Sequence, residues 1–122
     1  MTRTYNGIVA ALFIALLASP AAGANGNELY QWLQAGKKLL SSTRSYDGWE
    51  KDLERSALAE GYIKGIVDSS SGRLFCLPDG VTYKQLGDIT LQSLENEPEN
   101  RHHTASLIII RAFGQKFPCA KK

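Results

Sequence analysis

Ala105-Ser106-Leu107-Ile108-Ile109-Ile110-Arg111-Ala112-Phe113 is the stretch on which the fold class turns. Three consecutive β-branched isoleucines suit a strand as well as a helix. The flanks decide between them. Pro98 is suited to a first helical position, Glu97 and Glu99 suit the positive end of a helix dipole, and no partner strand is apparent. A helix from Pro98 through Phe113 is therefore expected. Its four consecutive large aliphatics, Leu107 to Ile110, cover nearly the whole circumference, as in a central helix packed on several sides.

Working outward, the strongest helix start precedes it. Thr82 is an N-cap with Gln85 at the third helical position, and Val81 and Leu86 occupy the staple positions, so a helix should run from there to about Glu95. Further upstream, Asp47 with Glu50 three residues on forms a second capping pattern. It opens a long helix to about Val67 whose apolar positions are Trp49, Leu53, Ala57, Leu58, Tyr62, Ile63, Ile66 and Val67. Gly61 and Gly65 interrupt that helix on one face, each at about 1 kcal/mol relative to alanine, which predicts helix packing through the close approach of a neighbour. Leu29, Trp32, Leu33, Leu39 and Leu40 give Asn25 to Leu40 a helical rhythm as well. Residues 41–45 and 68–73 read as polar connectors, and Leu74 to Pro78 as a short extended stretch. The expected fold is all-α, a small bundle of about four helices.

Ahead of this domain, Arg3 is followed by an apolar run from Ile8 to Ala18, the breaker Ser19-Pro20 and then Ala22-Gly23-Ala24. That is the layout of a cleaved secretory signal over residues 1–24, and the run is too short to span a bilayer. Residues 25–122 then form a single domain, large enough for one modest core. With Arg3 gone, the basic residues fall one short of the full chain's 14 and nearly balance the 12 acidic ones, which suggests neither nucleic acid nor a membrane as partner. An exported chain meets an oxidising compartment, so Cys76 and Cys119 are expected to pair as a disulfide. The competing reading, a nucleophilic cysteine with His102 or His103 as base, has no motif around either cysteine to support it. Metal-ligand spacing is absent too, and no cofactor is expected.

The order Gly61-Tyr62-Ile63-Lys64-Gly65-Ile66-Val67-Asp68, then Phe75-Cys76-Leu77-Pro78-Asp79-Gly80-Val81-Thr82 with Gln85-Leu86, resembles the Rap/Tai immunity protein family. Pro98-Glu99-Asn100-Arg101-His102 and the terminal Phe117-Pro118-Cys119 resemble its closing segment. The likeness runs from about Glu60 to Cys119, and no motif in the first helix matches. It implies a helical periplasmic protein, often a homodimer, that binds a peptidoglycan amidase delivered by the type VI secretion system. Such a protein inhibits the amidase by occluding its active site and performs no chemistry itself.

An inhibitor needs a protruding polar element, and the turn carrying Glu95, Asn96, Glu97, Glu99 and Asn100 is the candidate partner-binding segment, its competitor being an ordinary solvated helix junction. Arg101 and His102, at the head of an apolar helix, read as structural. Trp32, Trp49 and Tyr62 read as core. The alternative function is a small periplasmic stress chaperone that exposes apolar surface in acid, or a family member with another binding partner.

Overall fold

The computed structural model describes residues 23–121, so the predicted leader lies outside the described residues except for Gly23 and Ala24. Four α-helices follow one another among the described residues: α1 (Gly26–Ser41), α2 (Trp49–Ser70), α3 (Tyr83–Asn96) and α4 (Ala105–Lys116). A single turn of 3-10 helix, Pro98–Asn100, lies between α3 and α4. The all-α expectation holds.

α1 and α2 form the most extensive helix pair. Trp32 meets Tyr62 edge-on at 6.3 Å and Lys38 reaches Asp52 at 3.1 Å, so one residue number rises as the other falls and the pair is antiparallel. Asn25 caps α1: its side chain accepts from the Glu28 amide at 3.1 Å, and the Glu28 carboxylate accepts from the Asn25 amide at 3.0 Å. Thr82 and Gln85 cap α3 in the same reciprocal way, as the sequence predicts.

α2 starts later than its sequence suggests. Asp47 lies in a turn, and Gly48, at φ 82°, is the N-cap without a side-chain bond. The start is set by tertiary contacts instead. The Tyr46 hydroxyl donates to Asp52 at 2.8 Å, and Lys38 lies over the Tyr46 ring at 4.1 Å, which fixes the loop before the helix. A left-handed residue is then needed to turn the chain, and glycine takes that conformation without steric penalty. At its other end α2 continues to Ser70, beyond the expected Val67.

The core gathers Leu29, Ile63, Phe75, Leu86, Leu94, Ile109 and Phe113, all nearly inaccessible. Phe75 enters it from the connector after α2 and meets Phe113 of α4 edge-to-face at 5.3 Å. Beside it Cys76 and Cys119 are joined by the expected disulfide, and the Cys76 amide donates to the Phe117 carbonyl at 2.8 Å. The bond closes a loop of 43 residues, worth about 4 kcal/mol in the chain-entropy model.

Three packing expectations are corrected. Gly61 and Gly65 face open space, with no atom within 4 Å of where a Cβ would stand. The glycine that does permit close approach is Gly26, where a Cβ would sit 2.7 Å from the Arg101 carbonyl oxygen and collide with Ile108 Cδ1. Trp49, Leu53 and Leu58, expected inward, are exposed along α2, and Leu107 is exposed on α4. The low amphipathicity of α2 explains the first group: its apolar residues are spread around the helix, and only the face bearing Ala59 and Ile63 meets the bundle.

Candidate functional site

The acidic turn begins where α3 ends. Glu97 is the C-cap of α3 and its amide donates to the Ser93 carbonyl at 3.1 Å, after which Pro98, lacking an amide hydrogen, opens the 3-10 turn. The expected continuous helix from Pro98 to Phe113 is therefore broken: residues 101–104 are turn and cap, and α4 begins at Ala105. Backbone bonding to α1 accounts for the break. The Arg101 and His103 carbonyls accept from the Asn27 and Gly26 amides at 3.0 and 2.9 Å, and the Ala105 amide donates to the Ala24 carbonyl at 2.8 Å. Carbonyls and amides used across elements are not available for an uninterrupted helix.

Arg101 pins this junction. Its Nε donates to the Leu94 carbonyl at 2.8 Å, satisfying an acceptor near the end of α3, and its guanidinium stacks on Tyr30 of α1 at 3.8 Å. His102 Nδ1 lies 2.8 Å from the Glu99 carbonyl, which can only accept, so that nitrogen carries the proton. Arg101 thus has the structural role expected of it, while His102 is exposed and bonds only within its own turn. Within the turn, the Asn100 amide donates to the Glu97 carboxylate, so these two half-buried side chains hold the turn together. Glu95, Asn96 and Glu99 are exposed. The segment thus divides into an internal brace, Glu97 with Asn100, and outward polar groups, Glu95, Asn96 and Glu99.

A second surface was not legible in the sequence. α1, α2 and α3 bound an open groove of about 1070 Å³, with Leu33, Ile63 and Leu91 among its lining and Leu40, Leu53 and Tyr83 standing exposed along it. Periodicity placed Leu40 and Leu53 on inward faces, but α3 does not cover them. The large number of apolar residues in α1 and α2, more than one narrow stripe needs, is the signal that was available.

Near the closed end of the α1/α2 pair, Asp52 is buried and accepts from Tyr46 while pairing with Lys38 at 3.1 Å and Arg55 at 3.8 Å. The Tyr46 hydrogen bond and then the Lys38 ammonium hold its carboxyl below the usual carboxylate value, against the opposing effect of burial. Burial and the neighbouring Asp52 raise the Tyr46 phenol. Every one of these groups is matched by another, so the cluster clamps the α1–α2 loop.

The Cys–His alternative fails because both sulfurs are consumed in the disulfide. Among the described residues, no group of three or more His, Cys, Asp or Glu side chains gathers where a metal ion would be held, and no helix is long and apolar enough to cross a membrane.

A disulfide-closed helical domain with a braced acidic turn and an open apolar groove has the features of a protein-binding domain. The chain belongs to the Rap1a immunity protein family, whose model matches residues 25–119. That range takes in α1, where the sequence shows no recognisable motif. Membership supports the role of an immunity protein, one that binds a cognate effector protein. No curated protein matches the chain.

Proposed function

We propose that this is a periplasmic immunity protein which, after loss of residues 1–24, binds a peptidoglycan amidase effector of the type VI secretion system and inhibits it by covering its active site. It acts as a homodimer and performs no chemistry of its own. Family membership supports the immunity role. The observation that carries the mode of binding is the acidic turn, with Glu95, Asn96 and Glu99 presented outward on a segment braced by Pro98, Asn100 and Arg101. A turn already held in one shape loses little entropy on docking, and its single sign of charge suits a basic cleft. The disulfide and the secretory leader both fit an oxidising compartment.

The test is Glu99→Lys, which reverses an exposed charge and leaves the Glu97–Asn100 brace intact. The immunity reading predicts an amidase encoded beside this chain; that amidase is expected to bind the variant at least about tenfold more weakly, and cells exporting it to their periplasm should lose protection. Unchanged affinity would remove the turn from the interface. If the neighbouring amidase does not bind the unaltered protein, the amidase reading fails.

A further inference from the structure

The peptide bond at which the leader is expected to be cut lies inside the described fold. Ala22-Gly23-Ala24 sets small residues just before the Ala24–Asn25 bond, as a leader peptidase requires. Yet the backbone on both sides of that bond is already engaged. The Ala24 carbonyl accepts from the Ala105 amide at 2.8 Å, and the Gly26 and Asn27 amides donate to the His103 and Arg101 carbonyls at 2.9 and 3.0 Å. Asn25 and Thr104 face one another as an antiparallel bridge. The Asn25 amide donates to the Glu28 carboxylate at 3.0 Å, and the Asn25 carbonyl accepts from the Leu29 amide at 3.1 Å. Packing closes the same place: Ala24 lies against the core, Gly26 is buried and Ala105 is inaccessible.

A partner that reads an extended segment does so through free backbone amides and carbonyls, as in strand addition. From the Ala24 carbonyl to the Asn27 amide those groups are taken, and from Gly26 onward the chain is helical rather than extended. Burial and hydrogen bonding of the backbone decide where a chain can be cut, and a closed segment is cut only through its opened form.

We propose that the Ala24–Asn25 bond is a processing site gated by folding: it is cut while the chain is unfolded, and docking of residues 24–27 onto residues 101–105 closes it, so that a precursor which folds first keeps its leader. This rests on the leader reading in the proposed function above and adds the order of events to it. Hydrolysis adds one water across the bond, leaving a carboxylate on Ala24 and an ammonium on Asn25. The Ala24–Ala105 hydrogen bond belongs to the uncut chain alone, whereas the Gly26 and Asn27 bonds to the junction serve the precursor and the mature protein alike.

The experiment uses the full precursor, residues 1–122, kept dispersed in mild detergent, with its disulfide verified by mass and its fold by circular dichroism. Purified leader peptidase is added and the products are followed by intact mass. The unfolded reference is the same chain carrying Phe113→Asp, which places a carboxylate where the structure has an inaccessible ring, far in sequence from the scissile bond. The folded precursor is expected to be cut after Ala24 more than about 30-fold more slowly than this reference, because only its opened fraction is a substrate. A smaller difference would overturn the gate. Arg101→Ala removes the Leu94 and Tyr30 contacts that pin the junction and leaves the leader and its cutting site unaltered. In the folded state it should be cut about tenfold faster than the unaltered precursor, and an unchanged rate would overturn the assignment of the block to this junction. If the Phe113→Asp chain is not cut after Ala24 either, the leader reading itself fails, a result distinct from equal cutting of the two forms, which overturns only the gate.

Discussion

Replacing Gly61 and Gly65 by alanine should make the protein more stable. Both lie inside α2 with helical backbone, neither has a positive φ, and the space a methyl group would enter is empty to 4 Å. The change therefore reduces to helix propensity, about 0.8–1.0 kcal/mol for each glycine. The double variant is expected to gain about 2 kcal/mol, and at roughly 4–8 °C per kcal/mol for a domain of this size the rise in Tm is about 8–16 °C. Gly26→Ala should do the opposite. Its methyl group would meet Ile108 and the Arg101 backbone, which is tied to Asn27, so relief requires separating α1 from the α4 junction at a cost of about 1–3 kcal/mol. Urea unfolding of the oxidised protein, followed by circular dichroism, measures all three. Loss of stability in Gly61→Ala or Gly65→Ala would show that face to be covered, and a neutral Gly26→Ala would refute the account of the α1–α4 contact.

Two further outcomes are expected. Asp52 has its folded pKa lowered below the ordinary 3.8, so the stability it contributes is present above that value and is lost as pH falls through the folded pKa. Asp52→Asn should accordingly be less stable at neutral pH and lose less stability on acidification, the two proteins converging once the pH is below the lowered folded pKa of Asp52; parallel acid limbs in pH-dependent unfolding would contradict the Tyr46–Lys38 clamp. Replacing Cys76 and Cys119 together by serine should remove about 4 kcal/mol, read as a lower urea midpoint, and a loss well under 1 kcal/mol would mean that the 43-residue loop is already constrained when unfolded.

The acidic turn and the groove differ in how readable they are. Glu95 to Asn100 stands out in the sequence because proline and clustered acids break a helical pattern, a local signal with local consequences. Its internal division does not. That Glu97 braces Asn100 while Glu99 points away depends on how α3 ends, and that end is shaped by Arg101 reaching both Leu94 and Tyr30 of another helix. The groove left no motif at all, since an uncovered leucine and a buried one look alike until the neighbouring helix is placed.

Helix identity, the caps at Thr82 and Gln85, the disulfide partners and the all-α class were determined by the sequence alone, because each rests on contacts within a few residues or on the only two cysteines present. Only the tertiary structure decided that α2 starts at Trp49, that the final helix breaks before Ala105, and that Gly26 rather than Gly61 or Gly65 permits close packing. Those outcomes are set by backbone groups and side chains distant in sequence competing for the same hydrogen bonds and the same space. Periodicity along one helix carries no information about which of its faces another helix will reach.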